Sequence, residues 1–211
     1  MRDRRTFLRC LALLGTVGLV GTCRTEGEPS APPEAAPIDE PAALRGWHYD
    51  VTLDGSLERA DVHLCFAGRA PARLIPGLRD ADPHGYDFRT ADGEPLPRSG
   101  LGHGLEGLGE DGCVDYWVDL DGLERSGAGG RMVGRTGQSL MIRPSLWMWR
   151  PDVLPDGVEA TLRLSLPPGV RASVPWPTEG GASRDEPGAT YRLGRTAFDW
   201  LAYVVFGALT I

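Results

Sequence analysis

The amino-acid sequence predicts an all-β protein, an antiparallel β-sandwich, and three observations carry that prediction. First, four stretches alternate apolar and polar residues with period two, as half-buried strands do. Trp47, Tyr49, Val51 and Leu53 alternate with His48, Asp50 and Thr52, and Val62, Leu64 and Phe66 with His63 and Cys65. Val114, Tyr116, Val118 and Leu120 alternate with Asp115, Trp117 and Asp119; Ala160, Leu162, Leu164 and Leu166 alternate with Thr161, Arg163 and Ser165. Second, turn signals separate the runs: Asp54-Gly55, Asp92-Gly93, Asp111-Gly112, Asp121-Gly122, Asp156-Gly157 and Pro167-Pro168-Gly169. Third, no window carries the period of a long amphipathic helix, and short strands with frequent turns imply a sandwich or barrel.

Residues 1–22 read as a twin-arginine signal peptide. Asp3-Arg4-Arg5-Thr6-Phe7-Leu8-Arg9 fits S-R-R-x-F-L-K at the arginine pair, Phe and Leu, with Arg for Lys and Asp for Ser. The apolar stretch Leu11 to Val20 is shorter than the roughly 20 residues that span a bilayer. It ends Leu19-Val20-Gly21-Thr22-Cys23, which resembles a bacterial lipobox with Thr where Gly or Ala is common. Cys23 is therefore expected to be acylated as the first mature residue. Two or more acyl chains, at about 0.8 kcal/mol per buried CH₂, anchor a protein stably where one does not. Ordinary cleavage and release of a soluble protein is the alternative. The expected location is the bacterial cell envelope, with a lipid anchor as the membrane contact.

Residues 23–45 are rich in Pro, Ala and Glu and hold no aromatic residue. Such a segment cannot bury enough apolar area to offset its ordering entropy, so it is expected to be an extended tether. Residues 46–211 are then the β-sandwich domain, expected to be cut short at its C-terminal end. Within it, residues 79–112 read as a flexible loop. Gly102-His103-Gly104-Leu105-Glu106-Gly107 there matches G-x-G-x-x-G in form. Pro95 and Pro97 precede it where a strand is required, and Glu106, Glu110 and Asp111 would repel a phosphate.

Composition excludes nucleic acid as a partner. All 22 basic residues are Arg, with no Lys and no Asn, a bias of GC-rich codons, and the formal net charge is −7. A phosphate-backbone binder needs a basic surface.

Of four cysteines, Cys10 lies in the signal and Cys23 at its end. Cys65 and Cys113 each sit on the polar phase of their strand, and in an oxidising compartment the pair is expected to be a disulfide. Closing about 49 residues would contribute roughly 4 kcal/mol on the chain-entropy account. His48, His63, His84 and His103 form no paired metal spacing, and alternation alone puts His63 and Cys65 on one strand face. Asp115, Asp119, Asp121 and Glu124 make an acidic run without an EF-hand pattern. There is no G-x-S-x-G elbow and no placeable carboxylate pair. No catalytic residue, no cofactor and no metal site is assigned to this chain.

The order of segments nevertheless resembles a known family. Trp47-His48-Tyr49-Asp50-Val51-Thr52-Leu53 is followed by Gly112-Cys113-Val114-Asp115-Tyr116-Trp117-Val118-Asp119-Leu120 and Ser145-Leu146-Trp147-Met148-Trp149-Arg150-Pro151. Leu166-Pro167-Pro168-Gly169, Val174-Pro175-Trp176-Pro177 and Phe198-Asp199-Trp200-Leu201-Ala202-Tyr203-Val204-Val205-Phe206-Gly207 complete the set. Over about residues 46–207 this is similar to the N-terminal β-sandwich of exported glycyl-aminopeptidase-type metallopeptidases, of the thermolysin-like clan. The resemblance implies a non-catalytic accessory domain that docks on, or presents substrate to, a zinc peptidase domain outside this chain. That family's H-E-x-x-H and G-x-M-E-N motifs are absent here, so none of its catalytic residues is carried over. The competing reading is a self-sufficient envelope lipoprotein that binds a glycan, peptide or protein partner. Trp147 and Trp149 share a face if their stretch is a strand, and are either core residues or a candidate interaction surface. The apolar run from Trp200 to Ile211 is expected to present an exposed edge.

Overall fold

Alternation along the chain becomes alternation across a sheet. The four patterned runs form β1 (Gly46–Leu53), β2 (Arg59–Ala67), β6 (Cys113–Asp119) and β10 (Glu159–Ser165). Flanked by β4 (Gly85–Thr90) and β12 (Thr190–Leu193), they make a six-stranded sheet in the order β12-β10-β1-β2-β6-β4. Cross-strand register lines up their apolar residues: Leu162, Tyr49, Leu64 and Val114 form one row, Leu164, Val51, Val62 and Tyr116 the next. A one-residue slip would turn every one of these side chains to the other face, so the hydrophobic pattern itself fixes the register. The computed structural model describes residues 43–127, 132–181, 188–194 and 202–209. The signal peptide, Cys23, the tether up to residue 42, and Phe198 to Leu201 lie outside the described residues.

Two smaller sheets complete the sandwich. One is β5 (His103–Gly104), β3 (Arg73–Pro76) and β9 (Trp149–Pro151), in the order β5-β3-β9. The other is β11 (Arg171–Ser173), β13 (Val204–Gly207), β8 (Ser139–Ile142) and β7 (Val133–Thr136), in the order β11-β13-β8-β7. Leu74, Leu140, Ile142, Val204 and Phe206 of the small sheets join Tyr49, Leu64, Val114 and Leu162 of the large one in a single buried core. Each such side chain contributes about 1.5–3 kcal/mol by leaving water. All-β is thus the observed class.

The structure corrects four sequence expectations. The large sheet is not wholly antiparallel, because β1 and β10 pair in parallel from Gly46↔Glu159 to Thr52↔Ser165. The period-two pattern sets which face is buried and says nothing of strand direction.

Residues 79–112 are more than a loop. They include a 3₁₀ turn at Arg79–His84, strand β4 on the sheet edge, and β5 paired to β3. Gly102, at φ +121°, lies so close to β3 that a Cβ would stand 2.2 Å from the Leu74 carbonyl oxygen. The glycine therefore serves backbone approach, not phosphate binding.

Leu120 does not extend β6 but begins helix α1 (Leu120–Ser126). Asp119 caps it, accepting from the Gly122 N–H at 2.7 Å, and Gly127 closes it in the left-handed region at φ 62°.

Finally, the described part of the C-terminal apolar run is not an edge: β13 is hydrogen-bonded to β11 on one side and β8 on the other.

Candidate functional site

Side chains of the large sheet that miss the core form a polar grid on its outer face. Three rows cross it. The first is Thr161, His48, Cys65 and Cys113; the second is Arg163, Asp50, His63, Asp115 and Arg89; the third is Thr52, Asp61, Trp117 and Tyr86. A groove of about 420 Å³ runs over the second and third rows, with Asp50, Asp61, Asp87, Asp115, Arg89 and Trp117 in its walls.

The rows are tied by charge-assisted hydrogen bonds, which are stronger than neutral ones. Arg163 Nε donates to Asp50 Oδ1 at 2.5 Å, and His48 Nε2 lies 3.1 Å from the same oxygen. His48 Nδ1 lies 2.6 Å from Thr161 Oγ1. Burial raises the Asp50 pKa, but the hydrogen bonds from Arg163 and His48 outweigh it and hold the carboxyl below its ordinary value. His63 Nδ1 lies 2.6 Å from Asp115 Oδ1, and Cys65 Sγ lies 3.1 Å from His63 Nε2.

Row three carries the groove's apolar surface. Tyr86, 40% exposed, stacks on Trp117 with ring centroids 4.4 Å apart. The Arg59 guanidinium sits over the indole, 4.5 Å from its centroid, and its Nε donates to Asp61 at 2.9 Å. A cation over an aromatic face adds about 0.5–1 kcal/mol at an exposed site. Tyr86 reaches Trp117 because β4 carries a bulge between Tyr86 and Arg89. The extra residue lets Phe88 turn inward onto Tyr116, centroids 4.7 Å apart, and leaves Asp87, at φ 60°, outside.

The sequence-derived site residues fall on different sides of this sheet. Cys65 and Cys113 are directly opposed, with Cα atoms 4.1 Å apart, and are joined as a disulfide closing 48 residues. Trp147 and Trp149 are core residues, 1% and 0% exposed, which corrects their reading as an interaction surface. Trp147 follows a 3₁₀ turn (Pro144–Leu146) and is not on a strand, so strand alternation does not govern it. Its ring meets Phe206 edge-on at 6.1 Å. Trp149 packs among Phe88, His103 and Tyr116, with centroids at 4.4, 5.7 and 6.3 Å. Its backbone is held as well: Tyr49 Oη donates to its carbonyl at 2.6 Å, and its N–H donates to Tyr116 Oη at 3.1 Å. Burial raises the pKa of both tyrosines, and burial lowers that of His103, which stacks on Phe88 at 4.0 Å.

Each carboxylate of the acidic run has its own partner: Asp115 with His63, Asp119 with the helix cap, Asp121 with Arg125 at 2.7 Å, and Glu124 with Arg135 at 2.8 Å. They do not converge. The ligating atoms of His63, Cys65 and Cys113 lie within 4.8 Å of one another. Their sulfurs are bonded together, so the thiolates that a zinc ion would need are not on offer. That cluster therefore offers zinc no thiolate pair while its disulfide is closed. A second hollow of about 500 Å³, lined by Leu57, Arg135, Gln138 and Gly169 among others, has a single ionisable side chain, which is paired to Glu124.

The groove residues that sequence reasoning missed are Arg59, Asp61, Asp87 and Arg89, with Tyr86 beside them on the Trp117 ring. One signal was present: Trp117 is a large aromatic on the polar phase of its strand, an expenditure of apolar surface that packing does not explain.

No protein-family model matches this chain, and no curated protein matches it. Solved structures do. An aminopeptidase N family protein from Idiomarina loihiensis superposes with TM-score 0.53 at 19% identity, over 78% of this chain and 30% of that one. Yeast LTA4 hydrolase gives TM-score 0.43 at 8% identity, over 80% and 29%. An M1 zinc metallopeptidase from Deinococcus radiodurans, bound to a Tyr-Ser-Ala substrate, gives 0.42 at 12%, over 79% and 42%. The first of these establishes a shared fold with part of an aminopeptidase N family protein, and this chain spans less than a third of that protein's length.

Proposed function

We propose that this chain is the non-catalytic β domain of an exported, metallopeptidase-like bacterial lipoprotein. In this reading Cys23 is the lipid anchor, residues 23–45 are the tether, and the sandwich docks on or presents substrate to a zinc peptidase domain. Zinc, its ligands and the general base belong to that domain, since H-E-x-x-H occurs nowhere in the 211 residues. The observation that carries the proposal is the fold likeness to part of an aminopeptidase N family protein.

The outer groove gives the domain a surface for this work. Its lining is net acidic, with Asp50, Asp61, Asp87 and Asp115 against Arg59 and Arg89, and Trp117, stacked on Tyr86, adds a ring. This suits a chain segment with a positive charge beside a ring or apolar side chain, which would compete with the pairing of Asp61, Asp87 and Asp115 to Arg59, Arg89 and His63. The same groove favours the second reading, a lipoprotein that binds its ligand alone.

Reading the genomic sequence that continues this coding region separates the two. An H-E-x-x-H segment in any frame within a few hundred codons supports the first. Its absence from every frame takes most of the support from the first and favours the second. For the groove, Trp117→Ala should weaken binding of a cationic aromatic peptide by about 1–3 kcal/mol, while the melting curve stays cooperative. Unchanged binding would contradict the groove's role in either reading.

A further inference from the structure

At one end of the groove, sharing His63 and Asp115 with its wall, lies a grouping that brings these two residues to a pair of cysteines. Antiparallel register sets His63 opposite Asp115 and Cys65 opposite Cys113, all four half-exposed on the outer face of β2 and β6. Asp115 Oδ1 is 2.6 Å from His63 Nδ1, and His63 Nε2 is 3.1 Å from Cys65 Sγ. A carboxylate that accepts from Nδ1–H turns the other ring nitrogen, with its lone pair, toward the sulfur. Cys113 Sγ faces a different neighbour, the Asp111 carbonyl oxygen at 4.0 Å, whose negative end disfavours a thiolate. The two sulfurs of one bond thus have unequal surroundings.

We propose that the Cys65–Cys113 disulfide is a thiol–disulfide exchange site, in which an incoming thiol attacks Cys113 and Cys65 leaves as a thiolate beside His63. A bond forms between the reactant sulfur and Cys113 Sγ while the Cys65–Cys113 bond breaks, and its electron pair stays on Cys65 Sγ. His63 Nε2 takes the proton that the reactant thiol loses. The imidazolium then lies between the Cys65 thiolate and the Asp115 carboxylate. A second reactant thiol attacks its fellow on the mixed disulfide and returns Cys113 as a thiol. Two thiols are oxidised to one disulfide as the protein's disulfide is reduced to two thiols.

A leaving thiol departs faster the better its anion is stabilised, and a neighbouring imidazolium is a recognised stabiliser of thiolate. Other charges face the site from each neighbouring strand: His48 and Asp50 on β1 with Arg163 on β10, Asp61 on β2, and Arg89 on β4. His63 acts on the reacting sulfur itself; Asp115 is a positioning residue. The reactant class is a small thiol, or an exposed cysteine of another chain.

The test uses the full chain with Cys10→Ser and Cys23→Ser, so that the cysteines left are Cys65 and Cys113. The oxidised protein is mixed with glutathione at neutral pH, quenched in acid, alkylated and mapped by mass spectrometry. Glutathione should be found on Cys113 and the alkyl group on Cys65, in roughly ten-fold excess over the reverse. His63→Gln should slow the reaction about ten-fold and Asp115→Asn several-fold. In the reduced protein Cys65 should alkylate faster than Cys113, a preference lost in both variants and not moved by a merely structural role. The His63 side chain is 43% exposed, so its replacement opens no core; His63→Asn serves if the Gln variant does not fold. Glutathione on Cys65, an even distribution, an unchanged rate in the folded His63 variant, or reduction only after denaturation would each overturn the proposal.

Discussion

Trp149→Ala is the perturbation that best separates a core aromatic from a binding aromatic. The side chain is wholly buried and touches Phe88, His103 and Tyr116. A buried Trp hides about 150–250 Å², which at about 25 cal/mol per Å² is about 4–6 kcal/mol of transfer free energy. Alanine keeps part of this and the surroundings relax, so the expected loss is about 3–5 kcal/mol. The two backbone hydrogen bonds to Tyr49 and Tyr116 are not deleted by the substitution, so they add nothing to the loss. A domain of this size has about 5–15 kcal/mol in total, so the variant forfeits a large share. In urea, with a slope of about 2 kcal/mol/M, the midpoint should fall by about 2 M. Trp149→Phe is the internal control. The indole Nε1 has no hydrogen-bond partner among the described residues, so removing it leaves no acceptor orphaned and the loss should be about 1–2 kcal/mol. A Trp149→Ala midpoint within about 0.3 M of the parent would refute the placement of this ring in the core.

Three further outcomes follow from the geometry. Replacing both Cys65 and Cys113 by Ser should cost about 4 kcal/mol by freeing a loop of 48 residues in the unfolded chain, read as a drop in denaturation midpoint. Gly102→Ala should destabilise by about 2–3 kcal/mol, because the methyl meets the Leu74 carbonyl at 2.2 Å and the φ of +121° is strained for any side chain; amide exchange in β3 and β5 should report it first. Burial lowers the His103 pKa below its ordinary 6.5, so the unfolded chain binds the proton more readily. The contribution of a neutral His103 is present above pH about 6.5 and is lost as pH falls through the folded value. His103→Phe should flatten melting temperature against pH in that acid window, and an unchanged slope would contradict it.

How much of this was legible follows from what each signal encodes. The strands β1, β2, β6 and β10 announced themselves because each spans several residues with one wet and one dry face. The disulfide was legible for the same reason, since both cysteines fall on the polar phase. Strands β5 and β11 span two and three residues, less than two full alternations, and leave no periodic trace. The parallel pairing of β1 with β10 arises from the path of the chain between residues 53 and 159, which no local pattern records. Trp147 and Trp149 resisted assignment because a large aromatic serves a core or a surface equally well, and only the packing around it decides. The groove was the least legible feature. Tyr86 and Trp117 are 31 positions apart and meet through a strand pairing shifted by a bulge, whereas Trp117 alone was marked by its phase.

The proposal that this domain serves a zinc peptidase is tested most directly on the native protein. Antibody raised to residues 46–211 would recover it from membranes of the source organism for intact mass, zinc content and aminopeptidase assay. The account predicts a polypeptide or complex that carries a zinc peptidase domain, holds about one zinc per copy and loses activity on chelation. Recovery of a polypeptide ending at Ile211, alone, without zinc and without peptidase activity, would contradict it.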